Sequence, residues 1–184
     1  LTSVKMIKLE TSRLLMRPYR ESDRGQFLAL NCDPQVRRYM NGELTRKAAD
    51  KKFNNVLKEK AANQGACWAI TEKATPAYIG HAYMEPSNLH PFHELGFLFL
   101  KSFWGRGYGT ETVLRLVRYY LDDASFHGLS ASVDCDNSKS ICLLEKTGFN
   151  RERVAMDNDG PFFIYSIRRK HGGKTGEELK AEGK

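Results

Sequence analysis

The sequence predicts a single α+β domain in which about four helices flank a central, mostly antiparallel sheet of about seven strands. Two strand-like segments, 66–71 and 77–85, are joined by a proline-containing turn, a pattern typical of an antiparallel hairpin. The nearly continuous apolar run 95–100 indicates a central strand buried on both faces. Apolar residues return at helical spacing after Gly109, which predicts a helix that packs on the sheet.

Length and composition set the expected number of domains. The chain has 184 residues, of which 41% are hydrophobic and 28% charged, values that fit one globular domain with a sizeable core. We expect this domain to span 9–169. The polar, glycine-rich stretch 170–184 predicts a flexible tail.

The first part of the domain predicts one strand and two helices. The strand covers 13–19, and Ser22 or Asp23 is a suitable N-cap for the helix that follows. A second helix is predicted over 45–62, because its apolar residues recur at helical spacing with lysines between them. The lysine-rich face of this helix is expected to face solvent.

The second half of the domain continues with helices and strands in alternation. The helix after the central strand is marked by the apolar positions Val113, Leu114, Val117 and Leu121. A strand over 129–133 follows. Asn137 or Ser138 can cap a short helix, which Gly148 ends in a left-handed conformation. The segment 162–167 predicts the last strand.

The charge of the chain favours anionic partners without choosing among them. A formal charge of +7 and a pI near 9.2 suit a nucleic acid, an acidic protein or a phosphorylated cofactor. The lysines and arginines are scattered, and no nucleic-acid recognition signature accompanies them. We therefore expect no nucleic-acid partner.

Cysteine spacing and hydropathy indicate a cytoplasmic protein. The four cysteines lack the paired spacing of a zinc site and the density of a disulfide-rich secreted domain, so we expect free thiols and no metal. No apolar run approaches the roughly 20 residues that span a bilayer, and 1–10 lacks the hydrophobic stretch of a secretory signal. We expect no membrane partner.

The glycine-rich segment 103–110 predicts an anion-binding site. It joins a buried strand to an amphipathic helix, so several backbone N–H groups should converge at the start of that helix. Glycines let a phosphate approach the backbone, and Arg106 adds a cation. The alternative is a plain glycine-rich turn. The third glycine of a dinucleotide fingerprint would fall on Thr110, so that fold is disfavoured.

Two motifs together resemble the GNAT acetyltransferase superfamily. The run WGRGYGTE follows ELGFLFL, and DNSKSICLLEKTGF comes about thirty residues later. The opening Glu10-Thr11-Ser12-Arg13-Leu14 is similar to that of the branch containing the ribosomal-protein N-terminal acetyltransferases. The resemblance covers 9–169 and implies a sheet splayed at a coenzyme A site. It also implies an acetyl-CoA-dependent N-acetyltransferase.

The resemblance implies which residues bind acetyl-CoA. The diphosphate would lie on the amides of 106–110, and pantetheine would run as a pseudo-strand beside 98–100. Asn137 would contact the pantetheine arm, act only as a helix cap, or do both. Many members carry Gln or Arg at the position of Trp104, but an aromatic residue is usual in this branch. The implied contact residues are Leu98, Phe99, Leu100, Trp104, Gly105, Arg106, Gly107, Tyr108, Gly109, Thr110 and Asn137.

The resemblance also implies two catalytic residues. Glu94 is similar to the strand glutamate that serves as general base, directly or through water, although a solvated strand-end charge is the alternative. His90 or His93 could substitute for it. Many members use a tyrosine to protonate the departing thiolate. Leu144 occupies that position here, so Ser140 becomes the candidate donor.

The acceptor is expected to be a primary amine, either a protein N-terminus or a small molecule. By family analogy, the first two helices and the segment 84–94 would recognise it. Asp157 and Asp159 could attract a cationic amine. The protein is expected to be a monomer or a homodimer. The alternatives are a coenzyme A-binding regulatory module without turnover and a basic nucleic-acid binder.

Overall fold

The computed structural model describes residues 7–62 and 66–169, and these contain one sheet of eight strands and four helices. The strands are β1 (Leu9–Glu10), β2 (Leu14–Pro18), β3 (Ala66–Glu72), β4 (Tyr78–Glu85), β5 (His93–Phe99), β6 (Gly128–Asp134), β7 (Asn150–Asp157) and β8 (Gly160–Arg168). The helices are α1 (Arg24–Asn31), α2 (Arg46–Ala62), α3 (Tyr108–Asp122) and α4 (Ser138–Lys146). The predicted tail, 170–184, lies outside the described residues.

The sheet is antiparallel except at one junction. Its strand order is β1-β2-β3-β4-β5-β6-β8-β7, and only β5 and β6 pair in parallel. The predicted α+β class is confirmed, with slightly more strands than expected. Two strands were not predicted: β1, which has two residues, and β7, whose residues are almost all exposed and therefore show no buried face.

The two faces of the sheet carry different helices. Successive side chains of a strand point to opposite faces, so neighbouring residues of β3 join different clusters. Cys67 and Ala69 pack with Phe27 and Phe53 beneath α1 and α2. On the opposite face, the cluster beneath α3 and α4 contains Trp68, Ile70, Ala82, Met84, Leu95, Val113, Leu116, Tyr120 and Leu144. We call these the α1/α2 face and the α3/α4 face.

Two details of burial differ from the sequence-based expectation. The central strand β5 is buried at Leu95, Leu98 and Phe99 but only half-buried at Gly96 and Phe97, so it is not covered throughout. In α3, Leu114 is exposed. The buried side of the helix instead carries Tyr108, Thr112, Val113, Leu116 and Tyr120.

Asp23 occupies the predicted N-cap position of α1 without capping the helix through its side chain. Its carboxylate instead accepts hydrogen bonds from Arg17 at 2.7 and 2.8 Å and from the backbone N–H of Arg20 at 2.8 Å. The hydrogen bonds from Arg17 and Arg20 hold the pKa of Asp23 below its usual range, although burial opposes them. The acid therefore fixes the end of β2 to the start of α1.

A buried histidine makes the stability of the fold depend on pH. The His81 Nδ1 lies 3.1 Å from the hydroxyl of Tyr19, which lies 2.6 Å from that of Tyr78. Burial, reinforced by the charges of Lys52 and Arg37, lowers the pKa of His81 to about 3. The imidazole is therefore neutral in the folded protein at pH 7.

We expect acid to destabilise the fold through His81. In the unfolded chain the imidazole takes up a proton below about pH 6.5, whereas in the folded protein it stays neutral down to about pH 3. The contribution of His81 to the free energy of unfolding is therefore fully present above pH 6.5 and is lost as the pH falls. Between pH 7 and pH 5 this loss should lower the free energy of unfolding by about 2 kcal/mol. In denaturant unfolding, the free energy of unfolding of His81→Gln should fall by about 2 kcal/mol less between pH 7 and pH 5 than that of the starting protein.

The exposed His127 provides the control for this measurement. His127→Gln should keep the pH dependence of the starting protein, because the His127 side chain is exposed to solvent in the folded protein as it is in the unfolded chain. If His81→Gln and the starting protein lost the same free energy of unfolding between pH 7 and pH 5, His81 would not be neutral and buried in the folded protein.

No helix within 7–62 and 66–169 is long and apolar enough to cross a membrane.

Candidate active site

The sheet opens between β5 and β6. Within the described chain these two strands pair only at His93 with Leu129 and at Glu94 with Ser130. The Ser130 hydroxyl lies 3.2 Å from the carbonyl oxygens of both Phe92 and His93, which closes this end of the junction. Beyond Glu94 the ladder stops, and β5 borders a gap in the sheet.

The direction of the β5 backbone decides which amides face this gap. The N–H of Leu100 donates to the carbonyl of Ile79 at 2.9 Å, on the β4 side. Because N–H groups alternate in an antiparallel strand, the amide of Leu98 also points to β4, whereas those of Phe97 and Phe99 point to the gap. Of the three residues predicted to contact pantetheine, Leu98, Phe99 and Leu100, only Phe99 directs its amide to the gap.

The segment that follows β5 forms an uncapped helix start. Gly105 and Gly107 adopt left-handed backbone conformations, with φ of 73° and 79°. Gly107 is the N-cap of α3, no side chain caps it, and the first helical hydrogen bond runs from the N–H of Glu111 to its carbonyl at 3.1 Å. The N–H groups of 108–110 therefore have no partner within the helix. We call 106–110 the cradle.

The start of α4 lies beside the cradle. An added Cβ at Gly109 would stand 2.5 Å from Cδ1 of Leu143, so this glycine allows α3 and α4 to approach each other. The Lys139 ammonium lies 5.2 Å from the centroid of the Trp104 ring. The Trp104 indole N–H donates to the carbonyl of Phe99 at 2.7 Å, so its observed role is to fasten the loop to β5.

Asn137 caps α4, as one of the two predicted roles required. Its Oδ1 accepts from the backbone N–H of Ser140 at 3.2 Å, which leaves the amide NH2 group to donate elsewhere. Ser140 is half-buried in the first turn of the helix. Leu144, at the position where a tyrosine donor was sought, is 1% exposed and packs in the core.

Glu94 projects from the α1/α2 face at the point where the gap begins. It is half-buried, pairs across the ladder with Glu85, and accepts from the Ser87 hydroxyl at 3.2 Å. The neighbouring pair is Gly96 with Tyr83, whose ring lies over the glycine. Burial, with the nearby charges of Glu85 and Glu94, raises the pKa of Tyr83 and keeps it protonated.

The two histidines proposed as substitutes for Glu94 lie elsewhere. The ring of His93 packs on Phe126 at 5.3 Å and points to the α3/α4 face. Burial lowers the pKa of His93. His90 Nε2 lies 3.0 Å from Oε2 of Glu152 on β7, which anchors the loop before β5.

A cavity of about 220 Å³ on the α1/α2 face has Glu85, the ladder partner of Glu94, in its lining. It extends between α2 and the β3–β4 hairpin, in the region expected to recognise the acceptor. Its lining includes Phe27, Lys52, Asn55, Val56, Cys67, His81, Tyr83 and Glu85.

The two aspartates proposed to attract an amine are not close to Glu94. Asp157 ends β7, and its Oδ1 accepts from the N–H of Asp159 at 2.9 Å, so both residues shape the turn before β8. That turn lies next to the end of β6 where Asp134 pairs with Phe162. Glu94 instead pairs with Ser130, towards the other end of β6.

Within the described parts of the chain, no group of three or more His, Cys, Asp or Glu side chains is arranged to hold a metal ion.

Comparisons with known proteins identify relatives over most of the chain. The model of the family described as "Acetyltransferase (GNAT) domain" matches residues 13–150. The chain is 29% identical over 174 residues to "Uncharacterized N-acetyltransferase YoaA" of Bacillus subtilis (strain 168), covering 86% of this chain and 95% of the relative.

Solved structures share the fold at low sequence identity. The ribosomal L7/L12 α-N-protein acetyltransferase RimL, in complex with coenzyme A, is 12% identical with a TM-score of 0.75, covering 88% of this chain and 98% of that one. The spermidine N-acetyltransferase of Vibrio cholerae, in complex with coenzyme A and spermine, is 18% identical with a TM-score of 0.74, covering 86% and 97%.

Proposed function

Because this chain belongs to the GNAT acetyltransferase family and is an acetyl-CoA-dependent acyltransferase, we propose that it acetylates a primary amine by direct attack on the thioester. The observation that carries the proposal is the continuity of the cradle, the gap beside β5 and Glu94. These three features offer a diphosphate site, a slot for an extended arm and a carboxylate at its inner end.

The cradle fits the diphosphate of coenzyme A. Amides at the start of α3 have no helical partner, and the helix dipole favours an anion there. The exposed side chain of Arg106 adds a positive charge. In the gap, the amides of Phe97 and Phe99 can bond the pantetheine arm as a neighbouring strand would. The side-chain NH2 of Asn137 is a further donor for the arm.

The reaction requires a neutral amine, and the half-buried carboxylate of Glu94 is the proposed acceptor of its proton. The nitrogen attacks the thioester carbonyl, whose oxygen becomes negative and is stabilised by a β5 amide at the gap. Glu94, directly or through water, removes a proton from the nitrogen. Collapse of the tetrahedral intermediate breaks the C–S bond, and Ser140 supplies a proton to the departing sulfur. Leu144 has no proton to give.

The acceptor is proposed to enter from the α1/α2 face. Glu94 and Glu85 pair on that face and Glu85 lines the cavity, so an ammonium that enters there approaches two carboxylates. By their names, the two structurally similar proteins act on a protein N-terminus and on spermidine, and both acceptors carry primary amines. We propose the same two acceptor classes here, without nucleic-acid or membrane partners and with a monomer or homodimer as the working form.

The buried Leu144 supports a second candidate function. With no tyrosine on α4, the protein could bind coenzyme A at the cradle and act as a regulatory module without turnover. This alternative shares the cofactor site and differs only in the absence of thiol release.

Release of coenzyme A from acetyl-CoA tests the proposal. The protein should produce free thiol above the hydrolytic background with peptides that carry free N-termini, with polyamines, or with both. N-acetylated peptides are the matched control and should give no release. If no amine of a broad panel raises release while calorimetry detects acetyl-CoA binding, the regulatory module replaces the enzyme.

A further inference from the structure

The carboxylate of Glu111 gathers the polar groups of the segment before β2. Glu111 lies in the first turn of α3 and its side chain is 16% exposed. It accepts from the Arg13 backbone N–H at 3.1 Å, from Arg13 Nε at 2.7 Å and from the hydroxyls of Thr11 and Ser12. Burial alone would raise the pKa of Glu111, but the hydrogen bonds from Thr11 and Arg13 lower it. The carboxylate is therefore charged.

Arg13 extends from this carboxylate to the cradle. Its Nη1 donates to the carbonyl of Arg106 at 3.0 Å, and its guanidinium carbon lies 4.4 Å from the centroid of the Tyr108 ring. An added Cβ at Gly107 would stand 3.4 Å from its Nη2. One side chain therefore contacts Arg106 and Tyr108 and lies against the open side of Gly107, the left-handed N-cap of α3.

A charged Glu111 creates a difficulty for a diphosphate site. An acid in the first turn of a helix stabilises the helix, but it repels an anion bound at the same helix start. Arg13 removes this conflict because its guanidinium is bound to the carboxylate and lies against the cradle. Its planar fork also fixes the carbonyl of Arg106, which orients the peptide group preceding Gly107.

We propose that Arg13 is a positioning residue for the acetyl-CoA diphosphate, acting by holding the cradle and by cancelling the charge of Glu111. This inference rests on the proposed function, because it assumes that the diphosphate lies on the cradle. It assigns a role in cofactor binding to the segment 11–13, which is 98 to 100 residues from Glu111 in the sequence.

Calorimetric titration with coenzyme A tests this role. Arg13→Ala should raise the Kd about tenfold, because it frees the cradle and leaves Glu111 uncompensated. The double variant Arg13→Ala/Glu111→Gln should recover to within about threefold of the starting protein, because the repelling charge is gone. In the thiol-release assay, Arg13→Ala should raise the KM for acetyl-CoA with less than about a twofold change in kcat.

Lys73→Ala is the matched control. Lys73 ties the same segment to the sheet, by donating to the carbonyl of Thr11 at 2.7 Å and pairing with Glu10 at 2.9 Å, but it does not reach α3. The Kd of Lys73→Ala for coenzyme A should stay within about twofold of that of the starting protein. An equal loss in Lys73→Ala and Arg13→Ala would overturn the proposal, because the effect would then come from the segment and not from the guanidinium.

The remaining outcomes are also decisive. An unchanged Kd in Arg13→Ala overturns the positioning role, and a double variant no better than Arg13→Ala overturns the charge compensation. If Arg13→Ala shows no cooperative thermal unfolding transition, Arg13→Lys replaces it. An unchanged Kd in Arg13→Lys overturns the need for the planar guanidinium. Absence of coenzyme A binding in the unaltered protein overturns the proposed function itself and is seen before any variant is made.

Discussion

Glu94→Gln should lower kcat/KM for the amine by about 10²- to 10⁴-fold, the range that a positioned general base contributes. Glutamine keeps the size of the side chain and its bond from Ser87 but cannot accept the amine proton. The Kd of coenzyme A should not change, because the cradle lies at the other end of the gap. Steady-state thiol release and calorimetry measure the two quantities.

Two comparisons make the Glu94 result specific. Glu85→Gln removes the same charge from the residue directly across the ladder and should change kcat less than about threefold, with its effect confined to the KM for the amine, since Glu85 is exposed at the entrance. Raising the pH should partly restore Glu94→Gln, because the free amine then becomes more abundant without a base. Equal losses in both variants would show that Glu94 acts only through the charge of this face.

Gly107→Val should weaken coenzyme A binding by about 10- to 100-fold. The N-cap of α3 has φ of 79°, a conformation that costs an L residue about 1–2 kcal/mol, and a β-branched residue more. The substituted loop should leave this conformation and turn the cradle amides away, so that binding must restore the strained turn. Calorimetry measures the loss.

Gly25→Ala is the control for this substitution. Gly25 lies in α1, where an added Cβ meets nothing within 4 Å, so alanine should stabilise the helix and leave the Kd unchanged. A Gly107→Val protein that is folded and binds coenzyme A with unchanged affinity would place the diphosphate elsewhere.

The local features of the fold were predictable from sequence because they depend on neighbouring residues. The hairpin of β3 and β4, the start of α3 after a glycine-rich run and the Asn137 cap of α4 each follow from a short pattern. The two motifs also identified the family correctly. The strand β7 escaped prediction because Val154 and Met156 are exposed and its other residues are mostly polar.

The orientation of groups in the site was less predictable. The sequence places Leu98, Phe99 and Leu100 in one apolar run, but only the register against β4 shows which amides face the gap. The Glu111 cluster depends on contacts across the fold, which no local spacing reveals. The sequence also did not reveal that Gly109 allows the close approach of Leu143 on α4.

The indole of Trp104 has a consequence for the orientation of the cofactor. It takes one of the two acceptor sites of the Phe99 carbonyl, while the Phe99 N–H stays available to the gap. A pantetheine arm bound there as proposed would present a carbonyl oxygen to this N–H. Since the two amides of pantetheine lie at fixed separations from the sulfur, one fastened tryptophan would set how deeply the thioester penetrates the sheet.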